Sequence, residues 1–208
     1  MMLIGQYDSP FVRRVGIALH LLGMPVDHRP WASFGDADLI APFNPLRRVP
    51  TLVLDDGEVL IETFAILDHL DEVAGPERAM LPASGQERRG ALKIVSLATG
   101  LADKANALVY EAVLHEGSSA RWVERCRAQI RDTLAALEPI RAGVATRYLF
   151  GERIGHADVA VACGLRFLAE AHPDLDALAA HPALTAHAAD CERLSAFQAV
   201  QQSLIRPT

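Results

Sequence analysis

Three short stretches carry residue types that could do chemistry together: Ser9-Pro10-Phe11, the Val49-Pro50 step with Arg47 and Arg48 before it, and Glu62-Thr63. Ser9 precedes a helical stripe and is followed by proline, so one reading of it is a helix N-cap with Pro10 in the first helical position. The other reading is chemical, and capping does not exclude it. A hydroxyl at a helix N-terminus sits beside open backbone N–H groups and the positive end of the helix dipole, where an anion is stabilised and a thiol ionises more readily. Thr63 opens a second helical pattern and divides the same way. It is an N-cap, or its hydroxyl and the helix N-terminus hold a carboxylate while Glu62 meets an ammonium. That pair of charges suits the head group of an amino acid. Proline ahead of a strand is where a cis peptide can turn a chain sharply, but only about 5–6% of X-Pro bonds are cis, so trans is the expectation for Val49-Pro50. A cis bond would leave the N–H and C=O of Val49 facing outward, ready to pair with an extended peptide.

The elements that must hold these residues follow from periodicity. Residues 2–7, "MLIGQY", predict a buried strand, and Phe11, Val15, Ala18, Leu19 and Leu22 mark a helix that Gly23 and Pro25 end. "VDHRPW" predicts a second strand, followed by a weak helical segment at 36–41. "TLVL" and "EVLI", joined through Asp55-Asp56-Gly57, predict a hairpin, and "TFAILDHLDEVAG" predicts a helix ended at Gly75-Pro76. This order makes a small mixed four-stranded sheet packed by helices, an α/β unit over residues 1–76. A Pro- and Gly-containing linker over 77–86 then leads to 87–208, where no strand signal occurs and an all-α unit is expected. Trp122, Cys126, Ile130, Leu134 and Leu137 form one apolar stripe there.

Composition narrows the function classes. The chain has 208 residues, 50% hydrophobic and 22% charged, enough for one large core or two small ones. No apolar run approaches the roughly 18 residues of a membrane span, and the start lacks the pattern of an export signal. Three widely spaced cysteines give neither a disulfide framework nor a CxxC motif, which points to a reducing cytoplasm. The net charge is −6, and residues 1–80 hold 6 Lys/Arg against 12 Asp/Glu, the wrong balance for nucleic acid. The eight histidines form no tight ligand pattern, so no metal is expected, and His115 four residues after Glu111 predicts a surface pair. Arg13 and Arg14 are expected on a solvated, salt-bridging face. The cysteines are expected to pack as small apolar residues, and Tyr7 to pack or to wall a pocket.

In order and spacing, "SPFVRRV", "NPLRRVPTLVLDDGEVLIETFAILDHLDE" and "GHADVAVA" resemble the glutathione S-transferase superfamily, in its bacterial Ser-Pro-Phe type, which is similar to the plant tau class. The resemblance covers the chain, densely in residues 1–75 and sparsely after. It implies a thioredoxin-like N-terminal domain, an all-α C-terminal domain, a two-fold homodimer and a detoxification role with glutathione as co-substrate. By the same resemblance, Glu62 and Thr63 would meet the γ-glutamyl head, Val49 before Pro50 the cysteinyl backbone, and Arg48 the glycyl carboxylate. The sulfur would approach Ser9, beside Phe11. Ser9 would then donate a hydrogen bond to the thiolate, which attacks a small hydrophobic electrophile. A glutathione-dependent isomerase, peroxidase or reductase, or a glutathione-binding protein without turnover, are the alternatives.

Four departures from the family pattern stand out. Arg47 occupies a position where Gly is common, and Thr63 one where Ser is usual. Gly155 replaces a Ser or Thr N-cap in "IGHADVAVA", with Asp158 three residues on. Thr99 stands where an acid is frequent while Asp103 remains, so Asp103 is the candidate for reaching the γ-glutamyl amine from the partner chain. Tyr7 is a candidate for the second-substrate pocket, whose remaining wall is expected around Leu101, Ala105, Leu108 and Val109.

Overall fold

Leu3 and Ile4 bury both faces of a short strand, β1 (Met2–Ile4), which stops at Gly5, whose φ of 129° is one that side-chain-bearing residues rarely adopt. The predicted strand over 2–7 is therefore cut to its first half. The computed structural model describes residues 1–175 and 178–206, so the last two residues of the predicted 87–208 unit lie outside it. β2 (Asp27–Arg29), β3 (Thr51–Val53) and β4 (Val59–Ile61) complete one mixed sheet in the order β2-β1-β3-β4. β1 and β2 run parallel with Leu3 opposite His28, and β3 lies antiparallel to β1 with Leu52 opposite Leu3. The hairpin predicted through Asp55-Asp56-Gly57 pairs Leu52 with Leu60.

Helix α1 (Pro10–Leu22) connects β1 to β2, a short α2 (Ala37–Ile40) follows β2, and α3 (Thr63–Ala74) follows β4. The rest of the chain is helical: α4 (Gly85–Leu114), α5 (Ala120–Ala142), α6 (His156–Ala171), α7 (Pro182–Glu192) and α8 (Ser195–Gln198), with a 3-10 turn at Pro173–Leu175. No helix among the described residues is long and apolar enough to cross a membrane.

Two apolar clusters share α6. Its Val159, Ala162 and Cys163 pack with β1, β3, α1 and α3, while its Ala160, Val161, Leu165 and Leu168 pack with α4, α5 and α7. α1 is consequently covered on all sides, and every residue from Val12 to Leu19 is buried. This overturns the expected solvated face: Arg13 and Arg14 are only 2% and 4% exposed. Arg13 is neutralised by a bidentate bond to Glu192 at 2.6 and 2.7 Å, whereas among the described residues Arg14 bonds the Thr99 hydroxyl, at 2.7 Å, and no carboxylate. The stripe of α5 buries Cys126, Ile130, Leu134 and Leu137 as predicted, but Trp122 is 37% exposed beneath the Lys104 ammonium. Leu101, Ala105, Leu108 and Val109 are buried in the helical core. They cannot wall a substrate pocket, because α4 turns them towards α5 and α6.

The connection from α3 to α4 is held by one carboxylate. Asp71 accepts from the N–H groups of Met80 and Leu81 at 2.8 and 3.0 Å and meets His156 Nε2 at 3.1 Å, tying α3, the linker and the start of α6 together.

Candidate functional site

Ser9 occupies the N-cap of α1 with extended backbone (φ −66°, ψ 122°), and Pro10 supplies a first-turn residue that has no N–H to satisfy. Its Oγ accepts from the Val12 N–H at 3.5 Å, a long contact, and among the described residues the hydroxyl hydrogen has no acceptor. The residue is half-buried. The cap therefore exists, and it leaves a donor unspent at the positive end of the helix.

Val49-Pro50 is cis, the minority outcome for an X-Pro bond. Among the described residues neither the N–H nor the C=O of Val49 has a hydrogen-bond partner, although β3 begins two residues later. The loop before it is organised by Asn44, which the motif analysis did not single out. Asn44 is 1% exposed, and its Nδ2 donates to the Arg48 carbonyl at 2.9 Å and to Thr51 Oγ1 at 3.0 Å. Its Oδ1 accepts from the Leu46 N–H at 3.0 Å. The Asn-Pro dipeptide that opens this loop was the available signal, because asparagine commonly bonds the backbone two residues on. Within the loop Arg47 has a φ of 53°, which explains why glycine suits that position. Its guanidinium bonds Asp38 in solvent at 2.8 Å.

The start of α3 differs from expectation by one residue. Glu62 is at the N-cap with φ 71° and ψ 133°, a conformation costly for a side-chain-bearing residue, and Thr63 is the first helical residue. The Thr63 hydroxyl does not cap its own helix; it donates to the Phe11 carbonyl at 3.4 Å. Among the described residues no side chain caps α3, which leaves the N–H groups of its first turn open. Glu62 is exposed and pairs with Arg48 at 3.3 Å.

Gly5 brings these pieces to one place. A Cβ there would lie 2.6 Å from Val12 Cγ2 and 2.8 Å from Val49 Cβ, so the end of β1, the first turn of α1 and the loop before β3 close over a position that has no room for a side chain. With Thr63 bonded to Phe11, the structure brings Ser9, Phe11, Val49, Pro50 and Thr63 together at one edge, with Arg48 and Glu62 paired beside them. Burial holds the pKa of Arg14, five residues along α1 from Ser9, down to about 10, and its guanidinium still carries its charge at neutral pH.

Other candidates sit elsewhere. The Tyr7 ring lies against Gly16, two turns along α1 from the cap, and stacks on His28 at 3.9 Å, so it packs. Asp103 is exposed and pairs with Lys104 at 2.9 Å. His115 and Glu111 pair at 2.8 Å as predicted, but Glu111 is buried and also accepts from the Ser119 N–H at 2.6 Å. All three cysteines are buried and unpaired, and burial pushes the Cys163 thiol up to about 11. Among the described residues no group of three or more metal-ligating side chains occurs. An exposed aromatic contact joins the loop after β2 to α4, where Phe34 meets Tyr110 edge-on at 5.2 Å.

Residues 3–78 match the model of the glutathione S-transferase N-terminal domain, and residues 120–190 that of the C-terminal domain. An uncharacterised GST-like protein of Escherichia coli, YibF, is 30% identical over 169 residues, 81% of this chain and 82% of its own. Maleylacetoacetate isomerase of Rattus norvegicus is 30% identical over 72% of this chain and 69% of its own. A crystal structure of a glutathione S-transferase from Methylobacterium radiotolerans, complexed with glutathione sulfonate, superposes with a TM-score of 0.91 at 27% identity, covering 100% of this chain and 97% of that one. With a mixed four-stranded thioredoxin-like sheet followed by a helical half, and with these relatives spanning both, the chain belongs to the glutathione S-transferase family.

Proposed function

We propose that the protein is a glutathione transferase in which Ser9 activates the glutathione thiol for attack on a small apolar electrophile. The observation that carries this reading is the convergence of the Ser9 cap, the unpaired backbone of Val49 and the uncapped start of α3 around Gly5 and Phe11. Each part matches one piece of the tripeptide. The open N–H groups of α3 receive the γ-glutamyl carboxylate, joined by the Thr63 hydroxyl when it turns from its long bond to the Phe11 carbonyl, and Glu62 receives the ammonium. Val49 pairs with the cysteinyl backbone as an added strand would, beside Pro50 and Phe11, and Arg48 lies by the glycyl carboxylate.

The chemistry follows from charge placement. A thiol with a pKa near 8.5 is mostly protonated at neutral pH, and each unit by which the site lowers it corresponds to about 1.4 kcal/mol. Ser9 contributes a hydrogen-bond donor and α1 its positive end. Ser9 acts as a donor and glutathione supplies the nucleophile. The buried cysteines provide no protein thiol at the site, which argues against disulfide exchange. The Phe34 and Tyr110 contact is the apolar surface we assign to the second substrate. Exposed Leu46 and Phe64, beside the glutathione residues, suit a two-fold homodimer in which Asp103 approaches the partner's γ-glutamyl amine.

A second reading, glutathione-dependent isomerisation at the same site, draws support from the rat isomerase relative. Calorimetric titration with glutathione, followed by assays on a generic aromatic electrophile and on maleylacetoacetate, separates the two. Binding with conjugation is the expected result. Turnover of maleylacetoacetate alone would select the isomerase, and no detectable glutathione binding would defeat both.

A further inference from the structure

Beyond α8 the described residues have no regular secondary structure, yet residues 200–206 are fastened along their length. Val200 is fully buried against α1, where a Cβ on Gly16 would lie 3.1 Å from its Cγ1, and its carbonyl accepts from Arg13 Nε at 3.3 Å. Three further bonds run to α6. The Gln202 carbonyl accepts from Arg166 Nη2 at 3.1 Å, the Leu204 N–H donates to Glu170 Oε2 at 3.0 Å, and Arg206 Nη2 donates to the Ala171 carbonyl at 2.8 Å.

Two bonds leave this rail. Gln202 Oε1 accepts from the Tyr7 N–H at 2.9 Å, and the Ile205 N–H donates to Asp8 Oδ2 at 3.0 Å. Tyr7 and Asp8 are the two residues immediately before Ser9, in the loop that carries the chain from β1 into α1. The space between this loop and the tail is a cavity of about 10 Å³ lined by Tyr7, Asp8, Arg13, Arg166 and Gln202 among others, room for no more than one water. The tail is therefore packed onto the loop.

A hydroxyl donor acts on a thiolate only if its backbone is held to within about 0.5 Å of the productive position. The local hold on Ser9 is a turn bond from its N–H to the Gln6 carbonyl at 3.2 Å, a helical bond from the Arg13 N–H to the Ser9 carbonyl at 2.9 Å and the long cap contact. The loop before it is thus fixed chiefly from the tail. We propose that residues 200–206 form a strap that orients Ser9, with Gln202 and Asp8 as positioning residues acting through the Tyr7-Asp8 backbone. This rests on Ser9 being the thiolate donor. The strap touches neither Val49 nor Glu62 and Thr63, so it governs activation of the thiol and leaves its affinity alone.

The test compares Gln202→Met, Asp8→Ala, Asp8→Asn and Ser9→Ala in the full chain. The readouts are pH-dependent kinetics with glutathione and an aromatic electrophile, and the ultraviolet absorbance of bound thiolate. Gln202→Met should raise the bound thiol's pKa and lower kcat on the order of tenfold, with the glutathione KM held within about twofold. Asp8→Ala and Asp8→Asn remove the same charge, but only Asp8→Asn keeps an acceptor oxygen, so Asp8→Ala should show the higher thiol pKa and the lower kcat of the two. Variants that melt earlier but keep the wild-type pH profile would overturn the strap as a positioning element. If Ser9→Ala leaves the bound thiol's pKa unchanged, the donor role and the strap fall together; if only the strap variants leave it unchanged, the strap falls alone. Should Asp8→Ala not fold, Gln202→Met carries the same comparison.

Discussion

The helices α1 and α6 are both entered from extended backbone, at Ser9 and Gly155, yet their first turns meet different fates. At α6 the protein satisfies itself. The Asp158 carboxylate accepts from the Gly155 N–H at 2.8 Å and from the Leu149 N–H at 2.9 Å, and it meets the equally buried His187 at 3.3 Å. At α1 the cap contact is long, the hydroxyl hydrogen is unspent and the residue is half-open. The same device, a polar group at the positive end of a helix, thus serves assembly where distant packing closes it and, on the function proposed for Ser9, ligand chemistry where packing leaves it open.

The sharpest way to break this contrast is to damage each end and ask which property is lost. Asp158→Ala leaves His187 buried without its partner and should cost about 3–5 kcal/mol of stability, read as a large drop in melting temperature or failure to fold. A mild loss of stability with impaired glutathione binding would reverse the assignment. Ser9→Ala should do the opposite, lowering kcat/KM on the order of 10²-fold, about 2.7 kcal/mol, while stability changes by about 1 kcal/mol or less. Gly155→Ala should destabilise by roughly 1–3 kcal/mol through overpacking, because a Cβ there would lie 2.8 Å from the Met80 carbonyl oxygen. That contact also explains why glycine replaces the usual hydroxyl at this cap; a neutral outcome would show that the linker yields.

The smallest effect is confined to acid. Burial pushes the Asp71 carboxyl up, but bonds from His156, Met80 and Leu81 outweigh it and hold the pKa below the usual 3.8. Because the folded pKa lies below the unfolded one, Asp71 stabilises the fold above the unfolded value, and that contribution fades as pH falls through the folded value. Asp71→Asn should therefore flatten the acid limb of melting temperature against pH. Parallel limbs for the two proteins would remove Asp71 from the account.

Local pattern carried the order of strands and helices, because a hairpin at Asp55-Asp56-Gly57 and stripes such as Cys126, Ile130, Leu134 and Leu137 are written in neighbouring residues. The Ser9 cap was readable for the same reason. Long-range packing was not. Arg13 and Arg14 look like a solvated pair until α6, α8 and the tail are known to cover α1, and Leu101, Ala105, Leu108 and Val109 look like a pocket wall until α4 is turned towards its neighbours. The geometry of Val49-Pro50 and the positive φ values of Arg47 and Glu62 are backbone states that residue type disfavours. Those at Val49-Pro50 and Arg47 accompany the closure of the loop on Asn44 and β3, and that of Glu62 turns the chain from β4 into α3.

The bonds from Gln202 to Tyr7 and from Ile205 to Asp8 span 195 and 197 positions. A chain made at about 5–20 residues per second exposes its first strand and helix roughly 10–40 s before these partners exist. The residues proposed for the glutathione side are made early and those proposed to orient Ser9 last, so on that proposal the hydroxyl reaches its final position only in a chain synthesised to its tail.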